Sequence, residues 1–451
     1  MKKVLFIVSV FITGVISAQT DSVKSFSLDQ AVKYALTNHT NSKNADLDIT
    51  KGKHFVTENI ATGLPQINGN VDYLYYIKPS VFVLPGSFIP GGDPNSFVAI
   101  PASPLNSLSM SVTASMSVVN GQYFIGIAAA KAYSNLLKEQ KEKTNLGVKE
   151  EVVKAYYLVL IAKESKKLID SSLQVLEQTL SQTEEVFKEG LIEELDVKQL
   201  RLTQSQIKDL STQLTNNILL AEYALKYQMA YPLEQEIELT DQLEPLIASN
   251  NFESLVNSLQ DSIDVSPNID FRLINQKLNL DKYQLKLQRA SAYPSLGTFF
   301  QVGGNLFNNE RWLFLGEGTT SNLNGVIWGF NLKVPIFSSW NRVSKLKQLK
   351  IEIQKTENNK QMVEDGLQLS YISSKITLQN NYNKLKTAKA NFELAGEIIR
   401  INNIKYKEGL ISSLDLSQAE SQYFDAQQKY FQAIYELLNS KIALDKSMSQ
   451  F

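Results

Sequence analysis

Lys188-Glu189-Gly190-Leu191-Ile192-Glu193-Glu194-Leu195-Asp196-Val197-Lys198-Gln199 and Lys407-Glu408-Gly409-Leu410-Ile411-Ser412-Ser413-Leu414-Asp415-Leu416-Ser417-Gln418 are two copies of one motif. Eight of the twelve positions are identical, and the offset of 219 residues is about half of the 451-residue chain. A repeat that long is a duplicated domain rather than a solenoid unit. A long helical pattern runs into each copy and another runs out. The glycine is therefore placed as the left-handed residue that ends one helix before the chain reverses. The expectation is two long helical hairpins, each turning at a Glu-Gly-Leu tip.

Around this repeat, composition narrows the class. The chain opens on Lys2-Lys3, an apolar run from Val4 to Ile16, and Ser17-Ala18-Gln19. That pattern reads as a signal peptide over residues 1–18 with cleavage after Ala18, in preference to a retained anchor. At 13 residues the run is too short to span a bilayer as a helix. With no cysteines there are no disulfides, no thiol chemistry and no cysteine metal site. Taking Lys2 and Lys3 from the 45 basic residues leaves 43 against 46 acidic, a net charge of −3, which gives no footprint for nucleic acid. No later stretch holds 18 consecutive apolar residues. A crossing of a membrane therefore requires a closed sheet.

The first repeat occupies residues 19–231. Ser27 starts a helical pattern through Leu28, Ala31, Val32, Ala35 and Leu36; it breaks at 38–41 and resumes to Ala61. Gly63-Leu64-Pro65 ends it, because proline disfavours helix at the residue before it. The period then becomes two over 66–76, and again over 108–118. There Leu108, Met110, Val112, Ala114, Met116 and Val118 alternate with Ser109, Ser111, Thr113, Ser115 and Ser117. A Pro/Gly-rich loop, 78–106, lies between, its only charges Lys78 and Asp93. A hairpin follows over 123–229. Its first arm, about 65 residues, would extend roughly 100 Å. Its return arm repeats Leu200, Ile207, Leu214 and Ala221 every seven residues.

Residues 232–266 read as an acidic linking segment. The second repeat, 267–451, follows the same plan. Pro294 matches Pro65, strands are expected at 295–306 and 325–334, and a hairpin at 341–447. In its return arm Leu416, Tyr423, Tyr430, Leu437 and Leu444 form one seam; Ala419, Ala426, Ala433 and Ser440 form another. Two seams suit a helix with two neighbours, as in a ring.

Four strands of about ten residues have the length of tilted transmembrane strands. Four cannot close a barrel, which needs about eight. Either several copies share one barrel, twelve strands for a trimer and eight for a dimer, or the strands belong to a soluble sheet.

The ordered set of strand-strand-helix-helix twice over, Pro65 and Pro294, Val334-Pro335-Ile336-Phe337 and the Gly-Leu tips resembles the TolC family of outer-membrane efflux ducts, over about residues 26–447. The resemblance implies a mainly α protein with membrane β-structure. Its long hairpins would form a trimeric α-barrel continuous with a shared twelve-stranded transmembrane β-barrel. It implies a homotrimer in outer-membrane lipid that extends into the periplasm, docks on a periplasmic adaptor and an inner-membrane transporter, and carries cargo without chemistry or cofactor. Gly190, Leu191, Gly409 and Leu410 match the adaptor-contacting tips. Asp196, Gln199, Asp415 and Gln418 match the periplasmic constriction, with glutamine where the family's second acid stands. Ile411 replaces the basic residue that some members carry. Leu108, Met110, Val112, Trp328, Phe330 and Leu332 take the lipid-facing positions.

Plainer readings stand beside these. Each tip glycine also suits a simple helix cap. Ser412-x-x-Asp415 is a capping box, a role compatible with gating. Tyr423 and Tyr430 suit packing. His39 and His54 lack any ligand pattern. No nucleophile motif, phosphate loop or paired-carboxylate signature is present, which argues against an enzyme. The competing class is a soluble periplasmic coiled-coil scaffold or adaptor.

Overall fold

A computed structural model describes residues 24–249, 251–260, 262–309 and 320–451. The signal-peptide expectation lies outside these residues. Two compact units are present, and each draws on both sequence repeats.

The first unit contains β1 (Lys24–Phe26) and α1 (Leu28–Asn38). Ser27 and Gln30 form a capping box that satisfies amides of the first turn of α1. The helix stops at His39, whose ψ of 134° is extended.

The second unit begins near the start of α2 (Thr40–Ala61) and holds β2 (Gln66–Tyr75), β3 (Val81–Pro85), β4 (Phe97–Pro101) and β5 (Asn106–Val119). The stretch expected as a loop at 78–106 thus contains a β3–β4 ribbon, paired Phe82 to Ile100 and Leu84 to Val98. Both its faces are apolar, so it lacks the alternation that marks a half-buried strand.

α3 (Gly121–Lys188) and α4 (Glu194–Met229) form the first hairpin, and β6 (Ile237–Leu239), α5 (Leu243–Ser249) and α6 (Phe252–Ser258) make up the linking segment. β6 pairs in parallel with β1. Asp241, just after it, accepts from the Leu28 amide at 2.8 Å and from the Tyr156 hydroxyl at 3.0 Å. The linking segment therefore ties the chain's first helix to α3.

α7 (Ile269–Ala290), β7 (Ser295–Asn308), β8 (Thr320–Lys333), α8 (Asn341–Lys407) and α9 (Ser413–Ser447) repeat the order helix, strand, strand, helix, helix. In the second unit the sheet runs β2-β5-β7-β8, antiparallel throughout. Its register aligns the two repeats. Gly69, Val112, Val302 and Val326 share one row; Ile67, Ala114, Phe300 and Trp328 share the next. The apolar alternations of all four strands therefore fall on one face, and the serine face of β5 lies on the other.

In the first unit the heptads become the core. Tyr156, Leu225, Met229, Tyr371, Leu378, Ile434 and Leu437 are buried in one cluster. Both seams of α9 are buried or half-buried along their length. Tyr423 and Tyr430 stack on Phe392, each with centroids 5.3 Å away, which gives them the packing role.

Candidate functional site at the hairpin tips

Gly190 and Gly409 have φ of 75° and 70°, the left-handed conformation that favours glycine. Open space surrounds the position a Cβ would take at either one, so backbone geometry alone requires the glycine. Each closes its helix with the same pair of bonds. Gly190 N–H donates to Phe187 C=O at 2.8 Å and Leu191 N–H to Val186 C=O at 3.3 Å. Gly409 N–H donates to Tyr406 C=O at 2.9 Å and Leu410 N–H to Lys405 C=O at 2.8 Å. This is the Schellman motif, twice.

That motif commonly folds its next apolar side chain back onto the helix. Here it does not. Leu191 is 76% exposed and Leu410 72%; Leu195 and Leu414, matched in the repeat, are 66% and 61% exposed. Each tip presents two bare leucines. Leu195 and Leu414 open the Leu-Asp-Val and Leu-Asp-Leu steps of the repeat, to which sequence reasoning gives no surface role. Their signal was present in the motif, since leucine is kept at a position that leaves the core.

The four constriction positions separate. Asp415 is exposed and forms the expected capping box: its carboxylate accepts from Ser412 N–H at 3.1 Å and Ser412 Oγ at 2.7 Å. Those bonds hold its pKa below the usual carboxylate range. Asp196 is half-buried and does something else. Its Oδ1 accepts from Ser413 Oγ at 2.5 Å and from Ser413 N–H at 3.4 Å, so the first repeat's acid caps the second repeat's helix. α4 has Glu193 at its own N-cap, with no side-chain bond. Gln199 is half-buried and Gln418 exposed.

Next to Asp196 lies a cleft of about 390 Å³, bordered by Thr183, Val186, Ile192, Tyr406 and Ile411. Tyr406 and Thr183 share a hydrogen bond at 3.2 Å, and Thr203 Oγ1 donates to Ser417 Oγ at 2.9 Å. Polar bonds therefore join the two tips on both sides of the Asp196–Ser413 pair. Ile169, Leu176, Val197, Leu200, Ile207, Ile399, Leu416 and Ala419 pack beneath them.

At the sheet, Val112, Trp328, Phe330 and Leu332 are exposed on the apolar face, and Met110 is half-buried. Leu108 departs from the expectation of an outward residue. It shares the face of Val112 but is 8% exposed, flanked in register by Tyr73 and Leu306. Trp328 donates its indole N–H to Thr298 Oγ1 at 3.2 Å. Exposed Ile336, Phe337 and Trp340 follow β8.

No group of His, Cys, Asp and Glu suited to a metal ion occurs among the described residues. Nor does any described helix have the length and apolarity to cross a membrane.

Residues 266–450 match the family model of outer membrane efflux proteins. No curated protein matches the sequence. Among solved structures, the CmeC outer membrane channel of Campylobacter jejuni aligns with a TM-score of 0.67 at 17% identity, over 94% of this chain and 86% of its own. The outer membrane protein VceC of Vibrio cholerae aligns at 0.66 and 14%, over 93% and 95%. The MtrE outer membrane channel of Neisseria gonorrhoeae, solved in an open state, covers 93% and 88% at 15% identity and a TM-score of 0.67. At such identities the likeness is one of fold. The second repeat thus matches the model of the outer membrane efflux protein family, and the chain shares the fold of these channels over nearly its whole length.

Proposed function

We propose that the protein is the outer-membrane duct of a tripartite efflux or secretion system. Three copies join their four-stranded sheets into a twelve-stranded barrel. The hairpins form a periplasmic tunnel, and its tips open on contact with a periplasmic adaptor and an inner-membrane transporter. The observation that carries this reading is the sheet. Its edge strands β2 and β8 have no outer partner among the described residues, and it bears a mainly apolar face opposite a mainly polar one. A soluble sheet with unpaired edges and an apolar face in water is an aggregation hazard. A shared barrel removes both problems, with the apolar face toward lipid and the serine face toward a wet lumen. The tip leucines supply an unburied apolar patch for the adaptor. Passage needs no chemistry on this account, since the duct contributes a path and a gate.

The test is Gly409→Trp. It should stop efflux in cells while leaving the assembled trimer intact in detergent. Loss of the trimer would show that the glycine serves folding and not docking.

A further inference from the structure

Glu420 lies on α9 one turn beyond Asp415 and is 3% exposed. Its neighbours on the helix, Leu416 and Ala419, belong to the apolar cluster under the tips. Among the described residues no hydrogen bond or ion pair reaches its carboxyl, whereas Asp196 and Asp415 both have serine partners. Arg201, the repeat-equivalent residue 219 positions earlier, is exposed and paired with Glu184 at 2.8 Å. The two hairpins thus place opposite charges in opposite surroundings at one repeat position.

A buried carboxyl without a partner is tolerable only when neutral. Burial alone pushes Glu420 up to about 7, with no contribution from a charged group. Tyr423, the next turn of α9, is the titratable neighbour that feels its charge, and Ser172 of α3 lies beside that tyrosine. Of the charged side chains on nearby turns of the other helices, Asp170 and Glu177 on α3, Lys198, Arg201 and Lys208 on α4, and Glu397 and Arg400 on α8 are exposed, while the acids Glu184 on α3 and Asp196 on α4 are half-buried. None supplies the missing countercharge.

We propose that Glu420 is a proton-operated latch: neutral, it lets the first turns of α9 pack on the α3–α4 hairpin, and ionised, it drives them off and loosens the tip. The sign follows from linkage. Below 4.5 the carboxyl is neutral whether packed or exposed; between 4.5 and about 7 only an exposed carboxyl ionises. Rising pH across that window therefore favours the lifted helix, and above it the bias is complete. The proposal deepens the reading of the tips as a gate and rests on it only for its consequence in transport.

The chain has no cysteine, so Leu191→Cys and Leu410→Cys give clean spin-label sites on the two tips. The measurement is the intrasubunit distance between them in detergent-solubilised full-length protein, with labelled subunits diluted by unlabelled ones. It needs no adaptor, pump or bilayer, so its outcome is separate from that of the duct reading. Between about pH 5 and about pH 8 the distance in the parent should lengthen. In Glu420→Gln it should stay at its low-pH value throughout. Glu420→Met, neutral and of similar length, gives the same reading should the glutamine variant fold poorly. An unchanging distance in the parent, or the same lengthening in a neutral variant, overturns the proposal.

Discussion

Asp196 holds Ser413 by a 2.5 Å hydrogen bond across 217 residues of chain. The bond joins the two sequence repeats where each begins its return helix. It also satisfies a first-turn amide of α9 that the helix itself leaves unpaired. Asp196→Asn should weaken this cap and cost about 1–2 kcal/mol of local stability. Ser413→Ala should cost a similar amount, and the double variant less than the sum, because both remove one interaction. Amide exchange over residues 413–416 reads the effect.

Asp415 gives a second prediction, in pH. Its carboxyl is depressed from 3.8 by the bonds from Ser412. Its stabilisation of the α9 start is therefore present above 3.8 and is lost as pH falls through the lowered value. The same amides, corrected for intrinsic rate, should lose protection only in that acid range. In Asp415→Asn that step should vanish.

The tip separates backbone from surface. Gly190→Ala and Gly409→Ala place a side chain at positive φ, which should cost about 1 kcal/mol each and fray the neighbouring helix ends. Leu191→Asp with Leu410→Asp should leave those ends intact and abolish adaptor-dependent efflux. Exchange measurements and efflux assays on both sets should give opposite rankings.

The sheet makes a prediction by face. Val112→Arg and Phe330→Arg should block membrane assembly, since arginine facing lipid costs about 2–4 kcal/mol near the bilayer midplane. Thr113→Arg and Asn331→Arg, one residue along, should assemble. Leu108→Ala should behave as a packing defect of about 2–3 kcal/mol instead, because Leu108 is buried. Heat-modified gel mobility of the membrane fraction distinguishes the three outcomes.

Much of this was legible in the residues. Pro65 and Pro294 mark the helix-to-strand changes, the heptads mark α4 and α9, and the repeated Glu-Gly-Leu marks the tips within a residue or two. Local period and turn chemistry are enough for such features. Three others needed coordinates. The β3–β4 ribbon has apolar residues on both faces, so no alternation betrays it. The Asp196–Ser413 bond depends on how the two repeats pack, which no local pattern encodes. Glu420 reads in sequence as one more acid on a solvated helix, and only its burial sets it apart.

The central claim is that three copies share one barrel and one tunnel. Electron microscopy of the particle extracted from membranes in detergent tests it most directly. The account predicts a hollow, threefold particle with a helical section on the order of 100 Å long. A protein that is soluble without detergent, or a particle that is monomeric or solid, would contradict it.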